Sequence, residues 1–586
     1  MDKKSAMAML LILMLWMGYF LFFAPKQQPG QPNSGQDTLS VSTGKKVEAP
    51  SAAGRENFPE IPSRQSVSIA DTSAAPVDTV IVSSDLYEYS LITRGGILTR
   101  ALLKKYPAFI RKGKRSFDDS QPVQLIPTEE SVFLNVLLHL KNSDKAVDLG
   151  KFYYEASTKR LALGPDNKEG AVTFTHRLPG GKELKLIYTF HHDSYLIEAQ
   201  LYLPAELHGP KENAMEVLLG PSLVSNEKNP KEDYSDYGII YYDTGEIVRK
   251  SLSDLGKSDW APSGEHQILW GGVKSKYFIS AFFVPDAPMT AMSASGSPVN
   301  MNLFFRGKFP IPSTVSPVNF SVYVGPQSYE VLTKLDFGFQ KIFQYGWSII
   351  QPFCKISLAV LLWMHKWISN YALILVFFAL LVKIVFYPAT IMSTKSQIKM
   401  QQIQPLLNDL RVRYKDDPKK LQEETLRLYK EHKVNPLGGC LPLLVQMPVL
   451  FALFYVFQRT IEFRGAEAFG WIHDLSQPDP YYILPVTMGA TTFLQQKLTP
   501  TQTEPKLMPM LYIMPVFMTF IFLNFSSGLV LYYTFVNIFQ IIQQIYINRV
   551  HPVPAFSPSG PAAGKAVKSE ASAGPARNKK KGLKRK

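Results

Sequence analysis

Val376-Phe-Phe-Ala-Leu-Leu-Val-Lys383-Ile-Val-Phe-Tyr-Pro388 decides the class of this chain. An apolar run of this kind is bilayer material, and a lysine inside it is costly unless it is paired or wetted. Lys383 stands five residues before Pro388, about 7–8 Å of helix rise. Working outward, candidate spans fall at Tyr371–Ile391, Leu441–Ile461, Tyr481–Lys497, Met508–Phe525 and Gly528–Ile547. None of them contains Asp or Glu, so on this topology no carboxylate partner for Lys383 exists in the membrane. The ammonium must face a hydrated cavity or snorkel to the cytoplasmic interface.

Uncharged polar residues on the other spans favour the cavity. Tyr533, Asn537, Gln540 and Gln544 recur at i, i+4, i+7 and i+11, one face of a helix, with Tyr532 adjacent. Gln446 lies near the start of the third span, and Thr491, Thr492, Gln495 and Gln496 lie on the fourth. Any one of these could be interhelical hydrogen-bond glue. Taken with an unpaired lysine, they describe a hydrated, positively charged groove that lowers the cost of admitting polar or acidic segments of another chain. No chemistry is required for that, and no cofactor. A proton-coupled transporter would need acids within the spans, and an intramembrane metalloprotease a His-Glu-x-x-His pair; neither is present.

The chain has 586 residues, 63 Lys+Arg against 48 Asp+Glu, and a net charge of +15. Mean hydropathy is −0.03, an average over unlike parts that excludes both a uniform soluble enzyme and a mostly disordered chain. Its two cysteines, Cys354 and Cys440, lie in or beside apolar segments and build no disulfide framework.

Lys3-Lys4 and the uncharged run Ala6–Ala24 read as an uncleaved transmembrane anchor over 1–25. Residues 26–76, rich in Gln, Pro, Ser, Gly and Ala, read as a disordered linker. Residues 77–335 read as β: Leu184, Leu186, Tyr188 and Phe190 alternate, His191-His192-Asp193-Ser194 interrupts, and Tyr195, Ile197, Ala199, Leu201 and Leu203 alternate again. That is a hairpin with one buried face in an antiparallel sandwich, and its turn histidines have no ligand partners near in sequence. The apolar stretch 336–370 carries Gln351, Pro352, Lys355, His365 and Lys366 and reads as an interfacial amphipathic helix, a further span being the alternative. The helical membrane core covers 371–549. Within it, 393–433 reads as a cytoplasmic helical hairpin broken at Asp416-Asp417-Pro418, with Ile403, Leu407, Leu410 and Tyr414 as one apolar stripe. Residues 550–586 form a basic disordered tail ending Lys579-Lys-Lys-Gly-Leu-Lys-Arg-Lys586, a polycation suited to ribosomal RNA or anionic lipid head groups.

Six spans place Lys3-Lys4, the basic 393–433 loop and the tail on one side. The positive-inside rule makes that side the cytoplasm, so both termini are cytoplasmic and the β domain is extracytoplasmic. Seven spans would break the agreement.

Four stretches carry a family likeness: Lys433-Val-Asn-Pro-Leu-Gly-Gly-Cys-Leu-Pro-Leu-Leu-Val-Gln-Met-Pro448, Trp471-Ile-His-Asp-Leu-Ser476, Asp479-Pro-Tyr-Tyr-Ile-Leu-Pro485 and Ser527-Gly-Leu-Val-Leu-Tyr-Tyr533. Over Gly346 to Arg549 the chain resembles the bacterial membrane protein insertase YidC of the Gram-negative type. The resemblance implies a multi-pass α-helical inner-membrane protein with six transmembrane helices, a five-helix insertase core around a groove open to cytoplasm and lipid, and a large periplasmic β supersandwich like sugar mutarotases without their catalysis. It implies nascent membrane proteins as substrates, the ribosome and targeting machinery at the hairpin, and the Sec translocon as a possible companion. Lys383 falls where the family usually carries the groove arginine; lysine keeps the charge but loses the planar fork. Tyr532 and Tyr533 fall at substrate-contacting positions, and Gln446 and Gln544 at groove-lining ones. Two rivals stand beside this reading: a channel or transporter, and an anchored extracytoplasmic carbohydrate-active protein.

Overall fold

The computed structural model describes residues 76–550 apart from 112–116, 128–132, 140–145, 205–212, 256–259, 264–265, 286, 312–316, 336, 344, 347, 435–440 and 499–507. The expected anchor, the linker up to 75, the tail beyond 550 and part of the Asn-Pro-Leu-Gly-Gly-Cys motif lie outside the described residues. The chain forms two compact units. One comprises the part up to Val382 with Leu444–Gly489 and Val516–Phe535; the other comprises Lys383–Leu443, Ala490–Pro515 and the part from Val536.

In the first unit the alternating segments become strands because one face of each can be buried. Lys182–His191 pairs antiparallel with Leu196–Tyr202, Leu186 opposite Leu201 and Phe190 opposite Ile197. Leu184, Leu186, Tyr188, Phe190, Ile197, Ala199 and Leu201 are all buried. This hairpin sits in a nine-stranded sheet that continues through Val318–Pro326, Phe278–Phe283 and Ile268–Lys274. A five-stranded sheet containing Asn213–Leu219 and Asn302–Ile311 packs on it, Phe282 meeting Phe309 at 5.3 Å between ring centroids. Another, containing Thr79–Ser83, Tyr87–Ile92 and Ile97–Pro107, meets it where Tyr89 approaches Phe190 at 6.3 Å. Each such buried aromatic contributes about 1.5–3 kcal/mol of transfer free energy, so the core stands without a disulfide.

The helix expected over 336–370 is shorter than its predicted bounds. Only Gln351–His365 is α-helical (α1). Phe339 instead stacks on Trp270 at 4.3 Å, and the Trp270 indole donates to the Phe337 carbonyl at 2.9 Å. The aromatic platform on the sheet captures a segment whose composition alone resembles membrane surface. α1 buries Cys354, Leu358 and Leu361 and exposes Ile356 and Trp363.

The helical region continues as α2 (Tyr371–Val385), α3 (Tyr387–Gln402), α4 (Gln404–Arg413), α5 (Pro418–Glu431), α6 (Leu441–Arg459), α7 (Ile483–Leu498), α8 (Met508–Phe522) and α9 (Ser527–Val550). The candidate span Tyr371–Ile391 is not one helix: the chain breaks at Phe386 with a bend of 61°. Pro388 is the cause, since its ring clashes with the carbonyl four residues back and it has no N–H to give. Among the described residues only Ser527–Arg549 is by itself long and apolar enough to cross a membrane, with α2 plus α3 a second if the bent pair is one span. α8 has 15 residues, about 22 Å of helix against roughly 30 Å of hydrocarbon.

In the second unit, Met400, Ile403, Leu407 and Val434 form a buried cluster with Leu428 and Tyr429 packed against it. It draws on α3, α4 and α5, so the amphipathic hairpin closes on its own small core. Leu407 is buried there, and the predicted stripe from Ile403 to Tyr414 runs along α4 from cap to cap, while the first hairpin helix expected from Ser393 is divided at Ile403, with Pro405 in the first turn of α4.

Candidate functional site

Lys383 lies in the last turn of α2 and belongs to the second unit. Its Nζ donates to Gln540 Oε1 on α9 at 2.6 Å, an amide dipole taking the place a carboxylate would occupy. One helical turn earlier on α9, Asn537 Nδ2 donates to Thr492 Oγ1 on α7 at 2.8 Å. One turn later, Gln544 is buried and donates from Nε2 to Asn548 Oδ1 at 2.9 Å. Asn548 extends the polar stripe by a further four residues, at the spacing that also links Gln540 and Gln544. The polar face of α9 is thus a ladder of amides facing hydroxyls and one ammonium.

The remaining candidates lie in the first unit. Tyr532 is fully buried, its ring 5.9 Å from Phe378, and its hydroxyl has no hydrogen-bond partner among the described residues. Tyr533 is half-buried, 5.7 Å from the ring of Phe522. Gln446 is half-buried on α6. A polar group left without a partner in a dry setting is expensive.

In each unit the helices also expose large apolar side chains. Leu373, Phe377 and Leu380 on α2, Val486 and Phe493 on α7, Ile513, Val516 and Phe520 on α8, and Ile542 and Tyr546 on α9 are exposed. Large apolar side chains exposed in such number suit lipid tails better than water.

A family described as the 60Kd inner membrane protein matches residues 363–553, and the YidC periplasmic domain matches residues 79–356. The membrane protein insertase YidC of Chlorobium limicola is 32% identical over 576 residues, covering 94% of this chain and 95% of its own. That of Syntrophus aciditrophicus is 32% identical over 560 residues, covering 94% of this chain and 100% of its own. This chain belongs to the YidC family of membrane protein insertases. It is therefore an inner-membrane protein with a periplasmic β domain, and its activity is not enzymatic. A crystal structure of an active YidC insertase with its first transmembrane domain resolved is similar at 17% identity, covering 80% of this chain and 94% of that one, with a TM-score of 0.34. A galactose mutarotase-like protein from Lactobacillus casei is similar at 9% identity over 42% of this chain and 99% of that one, with a TM-score of 0.26.

Proposed function

We propose that this insertase admits a nascent membrane protein by offering Lys383 and the polar face of α9 to the short extracytoplasmic segment of the substrate. The Lys383–Gln540 hydrogen bond carries the reading. In the resting protein the amide oxygen shares the ammonium; an incoming carboxylate or peptide carbonyl competes for it, and a charge-assisted bond to a carboxylate is the stronger. Asn537, Gln544 and Gln446 take up further polar groups, and Tyr532 and Tyr533 meet the substrate as it passes. The apolar segment then partitions into lipid, and hydrophobic transfer supplies the driving force with help from the membrane potential.

The finer topology belongs to the same reading: six spans, both termini cytoplasmic, the hairpin 393–433 and the basic tail receiving the ribosome and targeting machinery, anionic lipid beneath them, and the Sec translocon as a partner for some substrates. The β domain, read as a supersandwich, then lies outside without catalysis of its own.

The test is cell-free translation of a small single-span protein into liposomes holding only this purified chain, scored by protease protection of the translocated end. Protection that is lost with Lys383→Leu supports the groove. Protection independent of Lys383 sinks it.

A further inference from the structure

Away from the groove, a group of buried charges joins the β domain to the segment between α6 and α7, all within the first unit. Arg464 Nε donates to Glu227 Oε1 at 2.7 Å, with only 1% and 6% of the two side chains exposed. Arg464 Nη2 also donates to the Asn226 carbonyl at 3.1 Å. Beside it, Lys228 pairs with the buried Asp474 at 2.9 Å. The Phe109 ring lies between the two cations, 4.5 Å from the guanidinium and 4.3 Å from the ammonium. On the other flank Glu462 Oε1 accepts from Ser328 Oγ at 3.1 Å and from the Tyr329 N–H at 3.0 Å.

From there hydrogen bonds lead directly to the helix ends. Asp474 Oδ1 accepts from the N–H groups of Gly465 and Ser476, folding the segment back on itself. Asp479, also buried, caps the start of α7, Oδ2 accepting from the Leu484 N–H at 2.7 Å. The carbonyls of Gln477 and Leu475 accept from the N–H groups of Ser527 and Gly528 at 2.7 and 2.9 Å, where α9 begins. Tyr532 follows five residues after Ser527.

The chain already tethers the β domain to the helices, so attachment does not require burying Arg464, Glu227 and Asp474 and half-burying Lys228. Desolvating them is costly and is offset only in one well-matched geometry; such a contact therefore fixes orientation. We propose that the Arg464–Glu227 and Lys228–Asp474 pairs form a positioning joint through which the β domain holds the outer ends of α6, α7 and α9, and with them the substrate-facing tyrosines of α9. The functional half of this rests on the insertase reading above; the structural half does not.

Hydrogen exchange on the full chain in lipid nanodiscs, followed by insertion assays, tests both. Arg464→Met or Glu227→Met leaves one buried charge uncompensated, whereas the double variant replaces the pair with apolar volume. Expected are at least tenfold faster amide exchange over 462–480 and the first turn of α9 in each single variant, near wild-type exchange in the double variant, and insertion falling and recovering in parallel. Unchanged protection of Lys182–Tyr202 shows that the variants fold. Wild-type exchange over 462–480 in both single variants overturns the joint. Faster exchange with undiminished insertion overturns its role in insertion. A wild-type chain that inserts nothing removes the insertase reading, and the exchange pattern still decides the joint.

Discussion

Lys383 is half-buried on a helix end and finds an amide rather than an acid. A hydrogen bond from its ammonium to an incoming substrate acceptor is worth roughly 1.5–3 kcal/mol, which corresponds to about tenfold or more in a rate. Lys383→Leu is expected to lower insertion about tenfold, and Lys383→Arg to keep it, since the charge remains and gains a fork. If Gln540 acts by holding Lys383, Gln540→Leu lowers insertion too, and the double variant is no worse than Lys383→Leu alone. Initial insertion rates for the four proteins check this; additive losses would separate the two residues. The lysine and the polar stripe were legible in the sequence because each is a local departure from apolar composition. Which acceptor the ammonium takes was not, because Lys383 and Gln540 lie 157 residues apart.

At the scale of elements, proline and glycine set the limits. Pro388 turns one predicted span into α2 and α3. A Cβ at Gly489 on α7 would collide with Thr519 Oγ1 on α8, so the two helices depend on that missing side chain to approach. Gly489→Val is expected to cost about 1–3 kcal/mol through overpacking and to lower the midpoint of thermal unfolding in detergent, whereas Ala490, its neighbour, tolerates Val with less loss. The hairpin has its own weak point at Leu407, which is 5% exposed in the cluster with Met400 and Ile403. Leu407→Ala is expected to cost about 2–5 kcal/mol, enough to unfold so small a core. Exchange protection of α4 and α5 should vanish while that of the β strands stays. The stripe containing Leu407 was readable from its spacing; the break at Ile403, where the stripe begins, was not, because a proline in the first turn of a helix and one inside it look alike in sequence.

For the molecule as a whole, buried carboxylates govern the pH response. Burial pushes Glu227 up to about 7, against the pull of Arg464. Burial also raises Asp233 and Glu462. Raised acids bind more protons in the native state than in the unfolded chain, so their contribution is present at acid pH and is lost as pH rises through the folded values. Glu216 acts in the opposite sense: hydrogen bonding to His139 lowers it, and its contribution is lost on acidification. The expected outcome is a β-domain unfolding midpoint that falls by a few degrees from pH 5.5 to 7.5 and collapses below the carboxylate range. Calorimetry of the full chain in detergent measures it, and Glu227→Gln should flatten the slope between pH 5.5 and 7.5. A midpoint that rises over that interval would contradict the assignment.

Local chemistry is what the sequence determined. Apolar runs, alternation and basic loops each act through the nearest few residues, so the β region and its periplasmic side, the membrane-seeking helices and the insertase motifs could all be read from order alone. Tertiary structure decided the rest: that Phe339 joins Trp270 in the β core rather than the membrane surface, that Lys383 bonds Gln540, and that Glu227 meets Arg464 across 237 positions. Those pairings depend on which distant side chains share a desolvated space. That is set by packing, and no period in the sequence encodes it.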